Sequence, residues 1–169
     1  MTKQRQFYHK SRIFGILKYV DGGTKMIKNL YMGLNTQVAN FHVLYTKLHH
    51  FHWFVAGKDF FTLHAKFESL YEEINELYDQ FAERLIIIGS KPDSSIAMYL
   101  KHTTLKESVA VKTDDMIHEL MSDLTQLIQE LKALILISNE LGDDQTSDLL
   151  ITTVSSFEKH LWMFQAFNK

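Results

Sequence analysis

Apolar residues recur along this chain every three or four positions, the period of a helix with one buried face, in four long stretches. In the first, Leu30, Leu34, Val38, Phe41, Leu44, Leu48 and Phe51 predict a helix from about Lys25 to Val55, ended by Gly57. In the second, Phe67, Leu70, Tyr71, Ile74, Leu77, Tyr78, Phe81, Leu85 and Ile88 predict a helix from about Phe61 to Ile88. Gly89 stops that helix and Pro92 bars its return. The third opens at Thr113, a good N-cap, with Asp114 and Asp115 where the helix dipole favours them. It carries Met116, Leu120, Leu124, Leu127, Leu131 and Leu134 as far as Gly142. Asp143 or Asp144 can cap the fourth, whose stripe includes Leu149, Ile151, Val154, Phe157, Leu161 and Phe164.

The links between these stretches set the topology. Those after the first and third helices are short. The one from Ser90 to Lys112 is long, with one or two helical turns over Ser95–His102, and suits a crossover along a bundle rather than a tight turn. The pattern predicts an all-α, ferritin-like four-helix bundle over residues 25–169, with a long crossover between helices two and three. Ahead of it, Asp21-Gly22-Gly23-Thr24 is a turn signal. Residues 1–24 read as an N-terminal arm with room for one short helix over Phe14–Val20.

Composition narrows the chemistry. The chain has 169 residues and is 46% apolar, which suits a single core. No apolar run nears the roughly 20 residues that a membrane span needs. Met1–Lys10 is polar and basic with no apolar stretch behind it, so no secretory signal is expected. There is no cysteine, which leaves His, Asp and Glu as the strong metal ligands and is compatible with the cytoplasm. The net charge of −2 conceals an asymmetry. Residues 1–28 hold seven lysines and arginines against Asp21 alone, a charge of +6, so the remainder carries −8.

On the second helix His64 and Glu68 are four residues apart, as are Asp79 and Glu83, and all four lie on roughly one stripe. A solvated face explains any single pair. The complete row is harder to explain that way. Glu68 and Asp79 are separated by roughly 16 Å along a helix rising 1.5 Å per residue, so one ion cannot join them within one chain. An antiparallel two-fold mate would bring His64 and Glu68 of one chain against Asp79 and Glu83 of the other. His52, at the end of the first helix, can meet His64 across the Gly57 turn. The set is then two imidazoles and three carboxylates, a mixed donor set suited to Fe(II). The intra-bundle di-iron motif Glu-x-x-His is absent.

These residues resemble the Dps family of mini-ferritins. Lys47-Leu48-His49-His50-Phe51-His52-Trp53, Phe60-Phe61-Thr62-Leu63-His64-Ala65-Lys66-Phe67-Glu68 and Asp79-Gln80-Phe81-Ala82-Glu83-Arg84-Leu85 look like its signature. The spacing His-x11-His-x3-Asp/Glu-x10-Asp-x3-Glu is met throughout. His160-Leu161-Trp162-Met163-Phe164-Gln165-Ala166-Phe167 matches as well, and the resemblance spans roughly residues 28–168.

The resemblance implies a hollow dodecamer that oxidises Fe(II), preferably with hydrogen peroxide, and stores ferric mineral. Its ferroxidase centres would lie at two-fold interfaces, with His52, His64, Glu68, Asp79 and Glu83 as metal ligands. Trp53 would lie beside the centre as a radical interceptor, or serve simply as a packing aromatic. Asp144 and Asp148 match two carboxylates of the pores that admit iron, while Asn139 stands where some relatives carry a further acid. Asp144 is equally readable as a helix cap.

Some relatives bind DNA through basic termini. Here Lys3, Arg5, Lys10, Arg12 and Lys18 make the arm a candidate for sequence-independent phosphate contact, multiplied over twelve copies. The chain would then be cytoplasmic and nucleoid-associated. The alternative is a nucleoid-compacting structural protein whose metal site is vestigial or holds another ion.

Overall fold

The computed structural model describes the backbone over residues 3–169 and the side chains over residues 23–169. Among the described residues five helices follow one another: α1 (Lys3–Phe54), α2 (Phe60–Ile87), α3 (Ile96–His102), α4 (Thr113–Leu141) and α5 (Asp144–Phe167). α1 packs along α2 and α4 along α5, with α1 also against α4 and α3. This is the expected pair, crossover and pair, with α3 as the short helix in the crossover. Among the described residues no helix is long and apolar enough to cross a membrane.

The apolar stripes meet where the periodicity places them. Phe41 of α1 is fully buried and meets Phe81 of α2 edge-on at 5.0 Å and Phe157 of α5 at 6.1 Å. Truncating such a ring to Ala typically costs about 3–5 kcal/mol. Gly142 ends α4 in the left-handed region at φ 69°, and Gly57 stands at φ 92° in the α1–α2 link. A side chain would strain either position.

The crossover is held by polar contacts to α1. Asn40 Oδ1 accepts from the Thr103 hydroxyl at 2.8 Å and from the Thr104 backbone N–H at 2.8 Å. Its Nδ2 donates to Glu130 of α4 at 2.9 Å, and Gln37 donates to the same carboxylate at 2.8 Å. The Asp93 backbone N–H donates to Asn35 Oδ1 at 2.7 Å. Deeper along the α1–α4 seam, Lys47 and Asp123 form a buried ion pair at 2.6 Å.

Two expectations at helix starts change. The turn signal at Asp21–Thr24 does not break α1, which passes through it without interruption. Each glycine there costs about 1 kcal/mol relative to Ala, which weakens a helix without forbidding it, and no proline enforces a stop. The side chains of Lys3, Arg5, Lys10, Arg12 and Lys18 lie outside the described residues. The N-cap of α4 is Lys112 rather than Thr113, because the Thr113 hydroxyl donates instead to the Ala56 carbonyl at 3.3 Å.

Candidate metal centre

His52 lies in the last turn of α1 and His64 in the second turn of α2. The link through Gly57 folds the two helices back so that the imidazoles stack, centroids 3.7 Å apart and planes inclined by 20°. Each ring then donates to the other's main chain: His52 Nδ1 to the His64 carbonyl at 2.9 Å, and His64 Nδ1 to the His52 carbonyl at 2.9 Å. The second bond uses a carbonyl from the last turn of α1, where intrahelical partners run out. A carbonyl oxygen only accepts, so both Nδ1 atoms carry the hydrogen, and Nε2 is the nitrogen each ring leaves for a ligand. This is how metal-ligating histidines are held.

Tyr71 extends the site. Its ring stands edge-on to His52 at 5.4 Å and stacks on His49 at 3.9 Å, and its hydroxyl donates to Glu68 Oε1 at 3.2 Å. Burial pushes the Tyr71 hydroxyl up, and the adjacent Glu68 charge and hydrogen bond push it further, so it remains a donor that orients the carboxylate. The periodicity reads Tyr71 only as a core residue, although its position three residues after Glu68 is a usable signal. Trp53 is 67% exposed and meets His49 edge-on at 5.5 Å, at the rim of the same aromatic group.

The structure thus brings His52, His64 and Glu68 to one end of α2. It does not bring Asp79 and Glu83 there. Both are exposed farther along the same helix, and neither has a hydrogen bond or ion pair to a described residue. Among the described residues no three His, Asp or Glu side chains of one chain gather closely enough to hold an ion. One chain carries two partial donor sets, imidazole-rich at one end and carboxylate at the other.

The remaining candidates lie at the other end of the bundle. Asp143 caps α5 by accepting from the Thr146 N–H at 3.1 Å, and Arg84 clamps it from α2 at 2.5 Å. Burial pushes the Asp143 carboxyl up, but the Thr146 hydroxyl and N–H together with Arg84 outweigh it and hold the group below the usual range. The capping role therefore belongs to Asp143, which leaves Asp144 and Asp148 exposed on the first turns of α5. Asn139 Oδ1 accepts from the Ser147 hydroxyl at 2.7 Å.

A family model described as ferritin-like domain matches residues 32–169. The chain is 43% identical to DNA protection during starvation protein 2 of Bacillus anthracis over 84% of this chain and 98% of that protein. It is 41% identical to general stress protein 20U of Bacillus subtilis, over 84% and 99%. The crystal structure of a Dps protein from Bacillus brevis superposes with a TM-score of 0.84 at 39% identity, covering 86% of this chain and 98% of that one. Matched by that family model over most of its length, at 39–43% identity to these proteins and with the same fold, the chain belongs to the Dps family of ferritin-like proteins.

Proposed function

We propose that this chain is a ferroxidase whose centres are shared between two copies, and that it stores the ferric product in a hollow dodecamer. In each centre His52, His64 and Glu68 of one chain face Asp79 and Glu83 of a second chain packed head-to-tail along α2. A two-fold axis makes two such centres at once. The carrying observation is the exchange of Nδ1–carbonyl bonds between His52 and His64, which fixes two bare Nε2 atoms side by side. The surface of α2 supports the pairing. Phe61 at the histidine end and Ile86 at the carboxylate end share the face of Glu68 and Asp79, and they are 84% and 62% exposed.

Fe(II) is the substrate. Two imidazoles and the Glu68 carboxylate suit Fe(II), and the carboxylates stabilise the harder Fe(III) that forms. With two ions held together, each gives one electron to hydrogen peroxide. The O–O bond breaks and two protons complete two waters, so no hydroxyl radical is released. The acidic body concentrates cations, and Asp144 and Asp148 are the carboxylates placed to line an uptake pore. The name of the Bacillus anthracis relative refers to protection of DNA. The same chemistry removes both reactants of hydroxyl-radical formation, in a cytoplasmic, nucleoid-associated setting.

Peroxide-driven Fe(II) oxidation by the wild type and by an Asp79→Ala, Glu83→Ala variant tests this reading, and equal rates would defeat it. The basic stretch Lys3–Lys18 is proposed to hold DNA through phosphate contacts that weaken with salt. Gel retardation is expected to disappear on deleting residues 1–24. Unchanged retardation would exclude the arm.

A further inference from the structure

The carboxylate of Glu68 is engaged at one oxygen only. The Tyr71 hydroxyl donates to Oε1 at 3.2 Å, and Oε2 has no partner among the described residues. The two residues stand three apart on α2, so they are neighbours on one helix face. A carboxylate accepts equally at both oxygens. Here a donor comes to one of them, and the two oxygens of Glu68 are made unequal before any ion arrives.

Tyr71 is itself braced from α1. Its ring lies flat on His49, centroids 3.9 Å apart and planes inclined by 26°, and Tyr45 meets it edge-on at 6.1 Å. His49 is fixed in turn, because its Nδ1 donates to the Tyr45 carbonyl at 3.0 Å. His52 closes the group edge-on to Tyr71 at 5.4 Å. A phenol packed against three rings holds its hydroxyl in one place, which is what a group that orients a ligand requires. None of Tyr45, His49 and Tyr71 is among the five proposed ligands.

We propose that Tyr71 is a positioning residue that limits Glu68 to one-oxygen ligation of Fe(II), and so keeps a position on the ion open for peroxide. The inference rests on the shared ferroxidase centre proposed above. The hydroxyl holds Oε1 and fixes the plane of the carboxylate, so that Oε2 is the oxygen offered to the ion. Without the hydroxyl the carboxylate is free to turn and grip with both oxygens, as Asp and Glu do at flexible cation sites. The added oxygen then fills a position that the oxidant needs, and open positions are what mark reactive Fe(II) sites. Tyr71 therefore acts through Glu68, on turnover rather than on affinity.

Tyr71→Phe keeps the ring and its stack and removes only the hydroxyl. In assembled full-length protein the variant is expected to lose at least about tenfold in kcat for Fe(II) oxidation by peroxide, the loss typical of an outer-shell partner, with KM for Fe(II) not raised. Co(II), added without peroxide, probes the ligand set directly, because its visible absorption weakens as the coordination number rises. The Tyr71→Phe protein should bind Co(II) at least as tightly as wild type and absorb less per bound ion. In a Glu68→Ala background the same substitution should leave the Co(II) spectrum unchanged, as expected of two residues that act as one unit. Wild-type kcat in a folded Tyr71→Phe protein would overturn the proposal, and so would weaker Co(II) binding with an unchanged spectrum. Failure of the wild type to oxidise Fe(II) would defeat the ferroxidase reading instead, and the Co(II) spectra, which need no turnover, would still decide how Tyr71 acts on Glu68.

Discussion

Helix α2 carries two kinds of carboxylate on two faces. Glu73 turns toward α5, where Ser156 and His160 bond it and Lys66 lies nearby. Asp79 and Glu83, six and ten positions on, are exposed and bonded to no described residue. The histidines divide in the same way. Both ring nitrogens of His160 are engaged, whereas His52 and His64 each commit Nδ1 and leave Nε2 bare. Folding accounts for Glu73 and His160. It does not account for a row of unpartnered acids, where like charges four apart on a helix cost a few tenths of a kcal/mol. A group whose partners are all within the chain belongs to the fold's own chemistry, and one left half-coordinated points to a partner outside it.

Substitutions on the two faces should separate function from stability. The largest effect is expected on the unpartnered face. The Asp79→Ala, Glu83→Ala variant should lose Fe(II) oxidation by at least about a hundredfold, since even outer-shell partners of metal ligands cost 10- to 100-fold. Its stability by chemical denaturation should change by less than about 0.5 kcal/mol for each exposed position.

Glu73 should behave in the opposite sense. Burial alone would raise its carboxyl, but the hydrogen bonds from His160 and Ser156, with the charges of His160 and Lys66, outweigh it and hold it below the usual range. A carboxyl lower in the folded than in the unfolded chain stabilises fully at neutral pH, and loses that contribution as the pH falls through its folded value. Glu73→Ala should therefore cost about 1–3 kcal/mol at neutral pH. The gap from wild type should narrow in acid, as read by denaturation across the acid range.

The smallest effects are expected at the start of α5. Asp143→Ala should cost about 1 kcal/mol as a lost cap. Replacing Asp144 and Asp148 by Ala should leave stability nearly unchanged but slow iron uptake several-fold at low salt, a difference that added salt should shrink.

Much of this was legible in the sequence because it is local. The stripes set four helices, Gly57, Gly89 and Gly142 all adopt positive φ where the helices end, and the long crossover sets the topology. The shared stripe of His64, Glu68, Asp79 and Glu83 is legible too, since residues four and eleven apart share a helix face. Contacts between distant segments are not legible. Glu73 and His160 lie 87 positions apart, and nothing in their local sequence announces the bond. The same holds for Lys47 with Asp123, and for Asn40 gathering Thr103, Thr104 and Glu130. At helix starts several residues compete for one role: Asp143 takes the cap that Asp144 could have taken, and Thr113 turns its hydroxyl to Ala56.

The shared centre is tested most directly by mixing two inactive chains. One carries His52→Ala with His64→Ala, the other Asp79→Ala with Glu83→Ala, and each alone should fail to oxidise Fe(II) rapidly with peroxide. Coassembled in equal amounts, random pairing at a two-fold interface gives about one quarter of the centres an intact histidine end and an intact carboxylate end. Recovery of about that fraction of wild-type activity is expected. Shells shown to contain both chains yet as inactive as either alone would contradict it.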